Sequence, residues 1–245
     1  MSCSLVGSEM CIRDRFSTHK FEGTPSVNNP HPQKGFLYNG AKNPDLDRFF
    51  LSPSHYALTL YAALIETKRL NDKCLKEFNK DGSVLDMIGS EHSPGHETNG
   101  GSFGQTISQA AGVAWARRRK KEKGLVWLFL SDGEFQEGQT WEALMSMAFH
   151  KISNLKIVVD VNGQQVDGKT CDVMNLEPLL EKISSFGACV KQVDGHDLVA
   201  LNNAFRTIHQ DKPLVVLAKT SPFRGMEILE KRYPFLHYVR FKDKN

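Results

Sequence analysis

The sequence predicts an α/β fold with a mostly parallel sheet flanked by helices. Two apolar runs, 125–130 and Leu155–Val161, have the length and composition of strands that are buried on both faces. Between them, residues 138–150 show helical spacing, with Trp141 and Leu144 among the residues on the apolar side. Strand, helix and strand in this order form a βαβ unit, and the two strands of such a unit are parallel.

Each of the two predicted strands is followed by polar residues that suit a metal site. The first run leads into Asp132 and Gly133, and the second leads into Asn162. Because the carboxyl ends of parallel strands meet at one edge of a sheet, we expect Asp132 and Asn162 to lie close together in a crevice there. Carboxylate and amide oxygens suit Mg²⁺ or Ca²⁺ rather than zinc or copper. Since Mg²⁺ is usually completed by phosphates and water, the pair predicts a metal-bridged phosphate or diphosphate.

Composition limits the classes of protein to which this chain can belong. With 245 residues it is long enough for one sizeable α/β domain, and its net charge of +3 is too small to indicate a nucleic-acid partner. No apolar run approaches the length of a membrane span. Five scattered cysteines without a CxxC pair indicate a reducing compartment. Since no signal peptide is apparent at the start, we expect a cytoplasmic protein that does not contact a membrane.

The first 43 residues are predicted to be irregular, and residues 44–245 to form one diphosphate-binding α/β domain. Residues 1–15 show neither helical nor strand periodicity and resemble a non-native leader. The rest of this segment is polar and rich in Pro, Gly and Asn, which is typical of loops.

The remaining periodic segments fill out the α/β pattern. Predicted helices cover 55–67, 71–78, a turn or two of 81–88, a stretch from Gly104 towards Lys123, 176–183 and 198–209, and predicted strands cover 189–193 and 214–218. The basic run 117–123 is interpreted as solvated charge at the carboxyl end of a helix, where it complements the helix dipole. Asp194 and Asp197 are interpreted as turn and capping residues.

Several short motifs in register resemble the amino-terminal half of transketolase, over a stretch from about Asp47 to His237. They are Asp132-Gly133-Glu134, Glu137-Gly138, Trp141-Glu142-Ala143 and Asp160-x-Asn162-Gly163-x-x-x-Asp167-Gly168. The acidic-Gly element followed some thirty residues later by Asn is similar to the thiamine diphosphate motif. The resemblance implies a thiamine diphosphate-binding fold that uses thiamine diphosphate and Mg²⁺. It also implies the transfer of a two-carbon ketol unit between sugar phosphates.

The same resemblance implies roles for individual residues. The metal ligands would be Asp132, Asn162 and the main-chain carbonyl of Gln164. The cofactor would contact His55, Gly101, Ser102, Phe103, Gly133, Glu134 and Asn162. The catalytic residues would be His237, which faces substrate and cofactor, and Glu137, a glutamate buried at a subunit interface near its symmetry mate. Either His92 or His96 is expected to face the substrate channel.

The resemblance is incomplete in ways that bear on assembly. Ser54 and Ser131 stand where the family has glycine, and the usual amino-terminal segment with a substrate-facing histidine is not recognisable, which favours a truncated start. In transketolases the glutamate that activates the cofactor lies in a second, pyrimidine-binding domain, and this chain stops before one. We therefore expect half an active site, completed by a separate carboxyl-terminal, pyrimidine-binding transketolase subunit, together with self-association of this chain.

Two alternatives remain at this point. The first is another thiamine diphosphate enzyme, similar to deoxyxylulose-phosphate synthase or to the alpha subunit of a 2-oxo acid dehydrogenase; the Trp141-Glu142-Ala143 and Asp160-to-Gly168 motifs favour transketolase over the dehydrogenases. The second is a truncated, non-catalytic partner subunit, which Ser131 and the missing histidine segment favour. Metal-dependent binding of thiamine diphosphate distinguishes a cofactor-binding subunit from a scaffold.

Overall fold

A computed structural model describes residues 43–237 and 239, and within them a parallel sheet forms the centre of the molecule. Its five strands are β1 (Arg48–Leu51), β2 (Val126–Ser131), β3 (Leu155–Val161), β6 (Cys189–Asp194) and β7 (Leu214–Lys219). They lie in the order β1-β2-β3-β7-β6, and every neighbouring pair is parallel. A separate antiparallel pair is formed by β4 (Gln164–Gln165) and β5 (Gly168–Lys169). The predicted fold class is confirmed.

Six α-helices connect the strands within the described residues. They are α1 (Ala57–Glu66), α2 (Gln105–Arg119), α3 (Gly138–Phe149), α4 (Thr170–Val173), α5 (Leu179–Ser185) and α6 (Leu198–Phe205). Short 3-10 helices cover Ser54–Tyr56, Asp72–Glu77, Asp132–Gln136 and Glu227–Arg232. None of the helices in the described part of the chain is long and apolar enough to cross a membrane.

Two apolar cores cover the two faces of the sheet. On one face, Leu128 and Leu130 of β2 pack with buried residues of α2, α3 and α5, such as Ile107, Met147 and Ile183. On the opposite face, alternate residues of the same strands pack with α1 and α6. Burial on both faces explains why β2 and β3 are apolar along nearly their whole length.

The described structure corrects three of the predicted elements. Residues 81–88 form turns rather than helix, because Asn79 N donates to Leu85 O at 2.9 Å and Gly82 has a φ of 76°. The helix predicted over 198–209 ends at Phe205, before the turn that leads to Pro213. The helix predicted over 176–183 begins later, at Leu179. Conversely, β1 was not predicted as a strand.

The predictions for residues 1–42, including the non-native leader, lie outside the described residues.

Candidate functional site

The ends of β2 and β3 bring Asp132 next to the loop that contains Asn162. Ser131 and Asp160 are register partners in the sheet, so the residues that follow them leave the same edge. The main-chain N–H of Gly163 donates to Asp132 Oδ2 at 2.9 Å, and the N–H of Gly133 donates to Asp132 Oδ1 at 2.9 Å. Since Gly163 follows Asn162 directly, the carboxylate and the amide lie at one end of the crevice, as the sequence predicted.

The carboxyl group of Asp132 is buried, with 2 % of the residue exposed. Burial raises the pKa of Asp132 to about 7, although the hydrogen bonds from Gly163 and Gly133 act in the opposite direction. Burial disfavours the ionised form because the charge loses its hydration. A cation beside this carboxylate restores that lost stabilisation.

Asn162 is held by hydrogen bonds at both ends of its amide. Its Nδ2 donates to Asp160 Oδ2 and to the hydroxyl of Tyr56, each at 2.9 Å, and its Oδ1 accepts from the N–H of Gln164 at 2.8 Å. The Gln164 side-chain Oε1 is buried and has no hydrogen-bond partner among the described residues. Asn162 Oδ1 keeps one lone pair that is not engaged by Gln164 N, and the Asp132 carboxylate keeps further acceptor sites.

The donor set fits Mg²⁺. In the described ranges, no group of three His, Cys, Asp or Glu side chains could hold a metal ion by itself. One carboxylate, one amide oxygen and the Gln164 carbonyl are the few oxygen ligands that Mg²⁺ takes when phosphates and water complete its octahedron. The predicted ligands Asp132, Asn162 and Gln164 therefore remain compatible with a magnesium–diphosphate group.

Four of the predicted site residues form a cluster next to this edge. The His55 ring lies 5.6 Å from the His237 ring and 6.1 Å from the Phe103 ring, measured between centroids. A Cβ placed on Gly133 would lie 3.9 Å from Phe103. Burial, with a smaller contribution from His237, lowers the pKa of His55 to about 4. The neutral imidazole that results has one donor and one acceptor nitrogen at pH 7.

The glycine-rich segment lies against the end of β1. Gly101 N donates to Ser52 O at 3.0 Å, and a Cβ on Gly101, whose φ is 93°, would come within 2.8 Å of Ser54 Oγ. Ser54 is buried, and its hydroxyl has no hydrogen-bond partner among the described residues. A buried hydroxyl beside an exposed glycine offers a donor to an incoming polar ligand. Ser102 is also exposed.

Glu134 is fully buried and joins two strand ends. Its carboxylate accepts hydrogen bonds from the Ser52 hydroxyl and from Ser131 N, the latter at 3.0 Å. Burial raises the pKa of Glu134 to about 7. Because both carboxylate oxygens are engaged within the protein, the observed role of this side chain is to hold the ends of β1 and β2 together. Its predicted contact with a cofactor stays a prediction.

Two other predicted residues differ in their exposure to solvent. Glu137 is exposed in the single chain, so its burial at an interface stays a prediction. His96 is 1 % exposed and lies in the core, where its ring is 6.4 Å from Tyr61 and a Cβ on Gly89 would meet it at 2.0 Å. His96 therefore does not reach solvent in the single chain, and the expectation that either His92 or His96 faces the substrate channel stays a prediction. His92 is exposed, and its role stays a prediction.

The sequence predicted no role for Tyr56, Asp160 or Thr220. The Tyr56 hydroxyl donates to Asp160 Oδ2 at 3.0 Å, and the Thr220 hydroxyl donates to Asp160 Oδ1. Two signals were available: a tyrosine directly after His55, and an aspartate two residues before Asn162 at the end of a buried strand.

The fold and the oxygen ligands at its carboxyl edge are those of an α/β protein with a ligand crevice at the strand ends. Residues 36–226 match the family described as "Transketolase, thiamine diphosphate binding domain". The chain belongs to this family.

Three bacterial relatives are similar to most of the chain. A transketolase family protein of Sinorhizobium fredii is 42% identical over 190 residues, which cover 76% of this chain and 68% of the relative. A subunit of the "Apulose-4-phosphate transketolase" of Actinobacillus succinogenes is 32% identical, with 80% and 72% covered. "6-deoxy-6-sulfo-D-fructose transketolase subunit SqwG" of a Clostridium species is 33% identical, with 76% and 69% covered.

Solved transketolases share the fold but are longer. A Pichia stipitis transketolase in complex with xylulose 5-phosphate superposes with a TM-score of 0.69 at 26% identity, covering 77% of this chain and 30% of the other. Campylobacter jejuni transketolase gives 0.65 at 27% identity, covering 73% and 30%. This chain thus spans about a third of the length of those enzymes and roughly two thirds of the bacterial subunits.

Proposed function

We propose that this chain is the thiamine diphosphate- and Mg²⁺-binding subunit of a split transketolase. The single observation that carries the proposal is the hydrogen bond that Gly163 N donates to Asp132. It brings the loop that contains Asn162 to the Asp132 carboxylate at the edge of the sheet. The names of two relatives as transketolase subunits support it, since they match over about 70% of their length.

In this proposal the chain holds the diphosphate end of the cofactor. Asp132, Asn162 and the Gln164 carbonyl hold the cation, while His55 and the loop around Gly101 approach the diphosphate. Thiamine diphosphate, when bound, supplies the carbon that adds to a ketose carbonyl and carries the two-carbon unit. His237 would contact the sugar phosphate substrate, and the position of its ring beside His55 supports this role.

A partner is part of the proposal. A separate pyrimidine-binding subunit would supply the groups that contact the other end of the cofactor, and Glu137, exposed in the single chain, would become buried when two copies of this chain associate. We propose a cytoplasmic location for the assembly, because Cys171 and Cys189 are free thiols, which suit a reducing compartment.

Calorimetric titration of thiamine diphosphate, with and without Mg²⁺, tests the cofactor assignment. We expect binding that requires Mg²⁺ and is lost in EDTA. Asp132→Ala removes a proposed metal ligand and should abolish that binding, whereas Asp81→Asn, at an exposed site outside the proposed set of ligands, should leave it unchanged. Metal-independent binding, or none, contradicts the proposal and favours a non-catalytic scaffold.

An activity assay tests the division of the enzyme. Ketol transfer between sugar phosphates is expected only when this chain is mixed with the pyrimidine-binding subunit, for which a neighbouring reading frame is the first source to examine. Activity of this chain alone contradicts the split assignment.

A further inference from the structure

Four polar side chains form a hydrogen-bonded group behind the proposed metal ligands. Asp160 is at its centre: Oδ2 accepts from Tyr56 OH at 3.0 Å and from Asn162 Nδ2 at 2.9 Å, and Oδ1 accepts from the Thr220 hydroxyl. Asn162 Nδ2 also donates to Tyr56 OH at 2.9 Å. We name Tyr56, Asp160, Asn162 and Thr220 the Asp160 network.

The number of protons in the network determines which way the Asn162 amide faces. The Tyr56 hydroxyl has a single proton, and it donates that proton to Asp160 Oδ2. The tyrosine oxygen then needs a donor, and Asn162 Nδ2 is that donor. With the NH₂ group held between Tyr56 and Asp160, Oδ1 faces the other way and accepts from Gln164 N at 2.8 Å. The next residue of this loop, Gly163, donates its N–H to Asp132.

The network is closed to water on the Tyr56 side. Tyr56 is 8% exposed and Asp160 is 7% exposed. The Tyr56 ring packs edge-on against His55, with 4.7 Å between centroids, and lies 5.8 Å from Phe129. The Tyr56 hydroxyl contacts Asn162 Nδ2 directly, at 2.9 Å. The ring packs against His55 and Phe129, and a phenylalanine would keep these contacts.

We propose that Tyr56 is a positioning residue for the cation site: together with Asp160 it holds the Asn162 amide with its oxygen towards the metal. This inference rests on the proposed function, since it concerns the Mg²⁺ that Asn162 would bind. Groups that orient metal ligands in this way typically influence metal affinity even though they do not touch the ion.

Tyr56→Phe removes the hydroxyl and keeps the ring, and Tyr61→Phe is its matched control. Tyr61 lies in α1, belongs to the same apolar core as Tyr56, is fully buried, and donates its hydroxyl to Asp86 O at 3.0 Å, outside the Asp160 network. Tyr56→Phe loses the hydrogen bond to Asp160 and the one from Asn162, and Tyr61→Phe loses the one to Asp86 O. A general effect of removing a tyrosine hydroxyl from the packed layer therefore appears in both. Only the Tyr56 variant alters the Asp160 network.

The measurement is the Mg²⁺ concentration needed for half-maximal binding of thiamine diphosphate, with thermal unfolding of each unliganded variant recorded alongside. We expect Tyr56→Phe to need about 10-fold more Mg²⁺, and Tyr61→Phe to need the same amount as the wild type. Repeating the titration with Ca²⁺ adds a readout that a structural role does not move. Because Mg²⁺ requires more rigid ligand geometry than Ca²⁺, the preference for Mg²⁺ should also fall in Tyr56→Phe.

Thr220→Val provides a second variant, which removes the hydrogen bond to the other oxygen of Asp160. We expect a shift in the same direction and smaller than that of Tyr56→Phe. If the wild type binds with Mg²⁺ but Tyr56→Phe and Thr220→Val match it in both metals, the inference is overturned while the proposed function stands. If the wild type shows no Mg²⁺-dependent binding, the proposed function fails and the inference fails with it.

Discussion

The main-chain N–H of Gly163 donates a hydrogen bond to the buried carboxylate of Asp132 at 2.9 Å, across the ends of two neighbouring strands. The two residues are 31 positions apart, and β2 and β3 bring them together because these strands are parallel partners. The hydrogen bond connects the two loops that supply all the proposed metal ligands. The geometry of the crevice is therefore tied directly to the pairing of the central strands.

Replacing Glu134 should destabilise the junction between β1 and β2. Glu134→Ala removes the acceptor for the Ser52 hydroxyl and for Ser131 N. Buried donors left without acceptors cost about 2–3 kcal/mol in free energy of unfolding, which urea denaturation at pH 7.5 measures. Glu134→Gln should lose less, because one side-chain oxygen remains, and the exposed Glu142→Ala should lose almost nothing. Equal stability of Glu134→Ala and the wild type contradicts the assigned role.

Acid should destabilise the fold through His96. Burial lowers the pKa of His96 from its ordinary value of 6.5 to about 4. Between these values the unfolded chain binds a proton that the folded chain does not, so the free energy of unfolding falls as the pH decreases from 6.5 to 4. Over the whole interval between the two pKa values, the loss in free energy of unfolding amounts to about 3 kcal/mol.

His96→Gln should flatten this part of the stability–pH curve, measured by urea unfolding at pH 7 and pH 5. His92→Gln, at an exposed position, is the matched control and should keep the slope of the wild type. An unchanged slope in His96→Gln shows that other groups cause the acid sensitivity.

Two glycines should respond in opposite ways to alanine. Gly101 has a φ of 93°, and a Cβ there would lie 2.8 Å from Ser54 Oγ, so Gly101→Ala should lose about 1 kcal/mol or more in free energy of unfolding. Gly112 lies inside α2 with no atom within 4 Å of an added Cβ, so Gly112→Ala should gain about 0.5–1 kcal/mol. Thermal unfolding of both variants checks the signs, and a stabilised Gly101→Ala contradicts the described loop conformation.

His237 should affect turnover more than cofactor binding. Its ring lies beside His55, and a side chain that aids proton transfer contributes about 100-fold or more to rate. We expect His237→Gln, assayed with the pyrimidine-binding subunit, to lower kcat by that order while Mg²⁺-dependent binding of thiamine diphosphate persists. His150→Gln, whose ring packs on Trp115 away from the crevice, should leave kcat unchanged. If His237→Gln loses the binding of thiamine diphosphate, the prediction is contradicted and His237 belongs to the cofactor site.

Local patterns predicted most of the sheet and the centre of the candidate site. β3 was predicted with its observed bounds, and β2 was shifted by one residue, because strands buried on both faces leave continuous apolar runs in the sequence. β1 was missed because only four residues pair, at the edge of the sheet. The 81–88 segment was predicted incorrectly because short apolar patterns do not distinguish a helical turn from packed loop.

The sequence by itself determined the parallel α/β fold and the position of Asp132 and Asn162 at one edge of the sheet, since both follow from periodicity and from the polarity of neighbouring strand ends. Only the tertiary structure decided that Tyr56 meets Asp160 and Asn162, that Glu134 joins Ser52, and that His96 lies in the core. Glu134 and Ser52 are 82 residues apart in the sequence, and Tyr56 is 104 residues from Asp160 and 106 from Asn162. The formation of these contacts depends on how the helical layer packs on the sheet, and that packing leaves no periodic signal in the chain.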